Sequence, residues 1–425
     1  MKDTAYWLDT AAPTVPIPPA DSGNDADVIV VGAGLTGMSC AYHLAKRGAR
    51  VRVLESHTVG WGASGRNGGM ATTGLSVSLS RAVSRYGVER AVSMRQRYND
   101  AIDLIEQIST DEAVDTEFRR AGLMNLAARE GHVAHYEREA ALITELTGHP
   151  AQFLDRAEVR QEIGTDTYFG GMIDPAGASV HPTKLLGAMV QGAVSRGALI
   201  HEHTPVTGVS RTQRGGHRVH TARGDFEAPQ LVVATGAYSK RPFGWLQRRF
   251  APVGSFVIVT EPLSPELAQS ILPNRRVCSD SKELLNYFRL TEDNRLAFGG
   301  RARFLSRDVA SDPKSGEILQ REMVELFPQL RGVAVEYAWG GLVDISLDRM
   351  VHSGTHDGYW FAQGYTGHGV QMATYMGKIL AGNVSGEADN PWSDLSNPPI
   401  PGHVGWPWFV PVAGIYYAAL DRFSR

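Results

Sequence analysis

Val28-Ile29-Val30-Val31 is a short apolar, β-branched run that passes directly into Gly32-Ala33-Gly34-Leu35-Thr36-Gly37. Met38 to Arg47 follows with one apolar face and a basic stop, and Val51 to Leu54 is a second β-type run closed by Glu55. Strand, glycine turn, helix and strand is the setting that gives Gly-x-Gly-x-x-Gly a physical meaning. Gly32 allows the tight turn, Gly34 lets backbone approach a pyrophosphate, and Gly37 lets helix and strand pack closely. The free N–H groups of the helix start, around Ala33, Leu35 and Thr36, favour an anion. Glu55, with Ser56 beside it, is placed to accept from a ribose hydroxyl and to disfavour a 2′-phosphate. The unit predicts an α/β chain built on a Rossmann-like, dinucleotide-binding domain.

Glycine recurs where such a ligand would extend. The chain has 46 glycines in 425 residues. Gly60 to Gly69 interleaves them with Trp61, Ser64, Arg66 and Asn67, a mixture unlike a flexible linker. In a flavoenzyme the chain after the second strand crosses the pyrophosphate and runs along the isoalloxazine. Ser64, Arg66 and Asn67 are then expected donors, while Gly62, Ala63, Gly68, Gly69 and Met70 carry backbone past the ring. This favours FAD over NAD. Gly364 to Gly369 opens another helix, with Thr366, His368 and Val370 at its start. Its N-terminus is expected at the pyrimidine edge of the flavin, where reduction builds negative charge. His368 either adds charge there or serves as a hydrogen-bonding residue. Ala234-Thr235-Gly236 ends a strand that covers the nucleotide again, and Val206 is a candidate for backbone contact with adenine.

Net charge is −3, with no basic excess to hold nucleic acid. No apolar run reaches the ~18 residues of a membrane span. The Pro-rich start lacks the basic-then-apolar order of a secretory signal. Two cysteines, Cys40 and Cys278, make neither a disulfide framework nor a thiolate metal cluster, and no metal is expected. A reducing, cytoplasmic setting is consistent with that. The expected organisation is an arm over 1–26 and an FAD domain from 27–72, 166–240 and 338–390. A discontinuous substrate domain of mixed β-sheet and helices takes 73–165 and 241–337, with a tail over 391–425. Asn286 to Leu290 and Arg295 to Phe298 read as a hairpin within the substrate domain.

These residues resemble the D-amino-acid-oxidase-like flavoproteins, and within them the gamma-glutamylputrescine oxidase branch. The resemblance starts at Tyr6-Trp7. It runs through Gly62-Ala63-Ser64-Gly65-Arg66-Asn67-Gly68-Gly69, Gly170 to Asp174, His181-Pro182, Tyr287 to Leu290, Phe327 to Leu330, Tyr337-Ala338-Trp339 and Gly367 to Val370. It reaches Tyr416 to Arg422 in the tail. The resemblance implies a small amine as substrate and oxidation of its carbon–nitrogen bond. Dioxygen would be reduced to hydrogen peroxide; an electron carrier is the alternative acceptor. A flavin-binding scaffold without turnover is the non-enzymatic alternative.

Three departures from that pattern bear on the site. Neither cysteine sits where relatives attach flavin, so FAD is expected to be dissociable. Glycine-oxidase-like members carry a carboxylate-clamping arginine shortly after the Trp-x-Gly segment, where Gly341-Leu342 is followed here by Val343. Valine cannot form a bidentate clamp. Met70 replaces a glutamine, and Arg301 and Arg303 follow Gly299-Gly300 where smaller residues are usual. An anionic substrate group facing Arg303 is the corresponding expectation. Tyr287 is expected to face the substrate, Trp339 to wall the amine site or pack in the core, and His368 to act at the reacting centre. Asp344 and Asp348 read as turn or cap residues.

Overall fold

The computed structural model describes residues 1–18, 26–300, 313–387, 389–405 and 407–423. Arg301, Arg303 and Trp406 lie outside the described residues.

The β-branched runs form a six-stranded sheet. Its order is His352–His356, Tyr359–Gln363, Gln230–Val233, Val28–Val31, Val51–Leu54 and Leu199–His201. All neighbours are parallel except the edge pair His352–His356 and Tyr359–Gln363. Val28–Val31 is wholly buried, as a strand covered on both faces must be. The helices Leu35–Lys46 and Gly369–Val384 pack on this sheet and cross each other. They meet at Gly377, where an added Cβ would lie 2.5 Å from Ser39 Cβ, and Ser39 Oγ donates to Thr374 O.

The second layer is an eight-stranded mixed sheet. Its order is Val335–Ser346, Phe250–Thr260, Leu296–Gly300, Asn286–Leu290, Val277–Asp280, Leu123–Leu126, Gly170–Asp174 and Gln152–Asp155. The expected hairpin is present, with Tyr287 opposite Gly299 and Phe288 opposite Phe298. One face is dry: Phe288, Phe298 and Phe327 are buried with Leu319 and Met323 of the helix Pro313–Leu326. The other face looks onto the helices Leu79–Tyr86, Val88–Asp111 and Val133–Thr147.

Gly170–Asp174 and most of Val335–Ser346, expected in the nucleotide-binding part, are strands of this second sheet instead. Gly170–Asp174 joins because Gly171 lets it approach Leu123–Leu126, where an added Cβ would lie 2.8 Å from Asn125 O. Val335–Ser346 joins by pairing along most of its length with Phe250–Thr260. The first residues also differ from an arm. Tyr6–Ala11 is a short helix with Trp7 fully buried, and Lys2 bridges to Tyr337. Val410 is buried, but Val412, Ile415 and Tyr416 on the helix Val410–Phe423 are exposed. Among the described residues no helix is long and apolar enough to cross a membrane.

Candidate active site

A cavity of about 820 Å³ runs between the two sheets. At one end it meets the glycine turn. Gly32 has φ +101°, and a Cβ there would lie 2.7 Å from Ala234 O. A Cβ on Gly37 would overlap the Gly32 carbonyl oxygen, and one on Gly34 would lie 2.7 Å from Ser64 Oγ. Leu35 N, at the start of the helix, donates to Ser64 Oγ at 2.9 Å. Glu55 lies at the end of Val51–Leu54 and accepts from Ala33 N at 2.8 Å. Gly32, Gly34, Leu35, Thr36, Glu55, Ser56, Val206, Ala234, Thr235 and Gly236 all line this end. Ala33 and Gly37 do not; they shape the turn from behind.

The wall continues through Gly62, Ala63, Ser64, Arg66, Asn67, Gly68 and Met70. Arg66 is buried with its guanidinium 4.3 Å from the Trp61 ring. The Asn67 side chain is spent within the loop, donating to Ala63 O and Ser64 O while its Oδ1 accepts from Gly69 N. It therefore offers no side-chain donor to a ligand, contrary to the sequence expectation. Gly69, at φ +66°, lies behind the wall against Arg289 and Val180 O.

Opposite stands the second helix start. Gly341, Thr366, Gly367, His368, Gly369 and Val370 line the cavity, and Thr36 Oγ1 meets Tyr365 OH at 2.6 Å, joining the two helix starts. Gly364 turns away and donates its N–H to Asp344 Oδ2 at 2.7 Å. His368 is a hydrogen-bonding residue: its Nδ1 pairs with Ser76 Oγ at 3.0 Å. Burial lowers its pKa to about 4, so it adds no charge near pH 7. Asp344, read from sequence as a turn residue, lines the cavity, and burial lifts its pKa to about 6 against the pull of the Gly364 N–H. Asp348 is a turn residue, bonded to Met350 N and His352.

The far half of the cavity rests on one row of the eight-stranded sheet. Gly299, Tyr287, Ser279, Asn125 and Met172 are paired in register across five strands, so their side chains share a face. Tyr287 faces the cavity while Phe288 points into the dry core. The Tyr287 ring fills the space over Gly299, and its OH meets Ser255 Oγ at 3.0 Å. Ser279 Oγ donates to Asn125 Oδ1 at 3.0 Å. Beyond them Arg95 and Asp174 form a buried ion pair. Glu139 caps the helix Leu79–Tyr86 by accepting from Leu79 N and Ser80 Oγ. Trp339 is absent from the cavity wall; it is buried behind the loop against Trp7, so the core-packing alternative is the one the fold adopts.

Residues 27–382 match the family model described as DAO, FAD dependent oxidoreductase. The chain belongs to this family. It is 32% identical to the gamma-glutamylputrescine oxidoreductase of Escherichia coli K12, over 99% of both chains. It is also 32% identical to a probable oxidoreductase, OrdL, of Haemophilus influenzae, over 90% of this chain and 88% of that one. Among solved structures, glycine oxidase from Geobacillus kaustophilus superposes with a TM-score of 0.73 at 24% identity, covering 87% of this chain and 98% of that one.

The sites that sequence reasoning missed in this FAD dependent oxidoreductase are Asp344, Asn125, Ser279 and the Arg95–Asp174 pair. For Ser279 and Asn125 a signal existed: once Tyr287 is assigned to the cavity face, alternation and register carry the assignment across neighbouring strands. For Arg95 and Asp174, 79 residues apart, none did. Arg289 is buried and bonded to backbone carbonyls. Its Nε donates to Gly68 O and its Nη2 to Val180 O.

Proposed function

We propose that this oxidoreductase removes a hydride equivalent from the C–N bond of a small amine or amino-acid-derived amine, and that dioxygen is its electron acceptor. The observation that carries this reading is the single cavity joining the glycine turn to the polar row of Tyr287, Ser279 and Asn125. The residues fit FAD. Two helix starts face one space, glycines stand where Cβ atoms would strike backbone or Ser64, and Glu55 lines the glycine-turn end. When bound, FAD supplies the two-electron acceptor for the chemistry.

The chain's own groups orient and enclose. Tyr287, tied to Ser255, stands over the loop at Gly68 and limits where the amine sits. The helices Leu79–Tyr86 and Val133–Thr147 roof the chamber and exclude water from the imine-forming step. Val343 lines the cavity where glycine-oxidase-like proteins are expected to carry their carboxylate clamp. That favours an amine whose reacting carbon bears no carboxylate, and the name of the E. coli relative points the same way. FAD is held without a covalent bond. Both cysteines are fully buried away from the cavity, and burial raises both thiols, Cys40 to about 12.

The test is an anaerobic titration of the yellow protein with polyamines, acylated polyamines, N-methyl amino acids and D-amino acids. Bleaching by an amine, followed by one peroxide per turnover in air, is the expected result. Activity with a dye but no peroxide would make the protein a dehydrogenase. Bound flavin that no amine reduces would leave a non-catalytic binder.

A further inference from the structure

Four successive carbonyls of the loop, from Arg66 to Gly69, are turned out of the cavity and bonded behind it. Arg66 O accepts from Trp339 Nε1 at 3.0 Å and Asn67 O from Trp7 Nε1 at 2.7 Å. Gly68 O accepts from Arg289 Nε at 2.9 Å and Gly69 O from Val180 N at 2.9 Å. The three side-chain donors come from three elements far apart in sequence, and all three are buried. They also support one another: the Arg289 guanidinium lies 4.8 Å from the Trp7 ring, and the two indoles meet edge to face at 6.4 Å.

The consequence lies in the peptide plane. A carbonyl and the N–H of the next residue share one rigid plane and point in opposite directions. Drawing Arg66 O towards Trp339 turns the Asn67 N–H away from that indole. Drawing Asn67 O towards Trp7 does the same for the Gly68 N–H. Asn67 and Gly68 both line the cavity, and neither amide has a partner among the described residues. The next amide, that of Gly69, is consumed by Asn67 Oδ1. Two consecutive donors, the positive ends of two fixed peptide dipoles, are left for whatever fills the cavity.

We propose that Trp7 and Trp339 are positioning residues that hold the Asn67 and Gly68 amides as a donor pair for the acceptor edge of the bound flavin ring. The proposal rests on the cavity being the FAD site. The indoles touch neither cofactor nor substrate; they act through the loop. Donors fixed in advance where charge accumulates need no reorganisation when it arrives. A merely structural role would need only the aromatic volume. Trp392 shows that this fold tolerates a buried indole whose Nε1 has no partner.

Phenylalanine retains a ring and deletes the donor, so Trp7→Phe and Trp339→Phe are the test, with Trp392→Phe as control. In each of the first two, the midpoint potential of bound FAD falls and its visible spectrum shifts. FAD affinity drops about tenfold, the worth of one well-placed hydrogen bond. Trp392→Phe leaves all three at the parental values. Parental spectra and potentials in Trp7→Phe and Trp339→Phe would overturn the proposal. Hydrogen exchange on the unaltered protein gives a second readout that needs no variant. The amides of residues 67 and 68 gain protection when FAD is added to apoprotein, and no gain would also overturn it. A protein that binds no FAD at all would instead remove the reading of the cavity itself.

Discussion

Tyr287 and Asp344 carry the residue-scale consequences. Tyr287→Phe removes the hydroxyl that meets Ser255 and leaves the ring over Gly299. The rate of anaerobic flavin reduction by the best amine should fall about fivefold, as expected for ~1 kcal/mol, with FAD affinity unchanged. Asp344 affects stability. Burial raises its folded-state pKa from 3.8 to about 6, so the folded protein binds the proton more tightly than the unfolded chain. Stability therefore falls as pH rises through that interval, and the whole penalty is present above it. Asn at 344 still offers an acceptor to Gly364 N and has no charge to bury. Urea unfolding should show Asp344→Asn more stable than the parent by about 2–3 kcal/mol at pH 7.5, with the gain disappearing near pH 4. An equal difference at both pH values would refute the assignment. Sequence revealed Tyr287 because a strand has only two faces and Phe288 claims the dry one. It hid Asp344, whose carboxylate is placed by the distant turn at Gly364.

At the scale of elements, the two helices that start at the cavity depend on close approach. At Gly377 an added Cβ meets Ser39 Cβ and Thr36 O at 2.5 Å. Overpacking there can be relieved only by parting the helices, so Gly377→Ala should cost about 1–3 kcal/mol and loosen FAD binding with it. Thermal melts with and without added FAD would show both effects. Gly37→Ala should be worse, because the Gly32 carbonyl that its Cβ would overlap is backbone and cannot rotate aside. Gly37 was legible from sequence because its role follows from the strand-turn-helix unit, a local pattern. Gly377 was not, because its partner is a helix more than 300 residues away in sequence. The hairpin at Asn286–Leu290 and Leu296–Gly300 was legible for the same local reason. The sheet membership of Gly170–Asp174 and Val335–Ser346 depended on long-range pairing that no local window contains.

At the scale of the whole molecule, the cavity lies between two sheets and its walls come from segments spread over most of the chain. A ligand held there links those segments. Free FAD at a hundred times its dissociation constant should stabilise the fold by about 2.7 kcal/mol, read as a concentration-dependent rise in melting temperature. Acid precipitation should leave all flavin in the supernatant and none on the protein. Flavin remaining with the precipitate would refute the dissociable cofactor.

Behind that wall, the first residues of the chain lie against a late-made strand, Val335–Ser346. Lys2 exchanges hydrogen bonds with Glu336 and Ala338, and Trp7 lies against Trp339. During synthesis the glycine turn at Gly32 and the loop at Gly68 leave the ribosome early, yet the Arg66 carbonyl has no indole to receive it until residue 339 has followed. The carbonyls of that loop are thus fixed only after most of the chain has been made. A fragment ending short of that strand would keep the loop sequence and lack the donor that turns the Arg66 carbonyl.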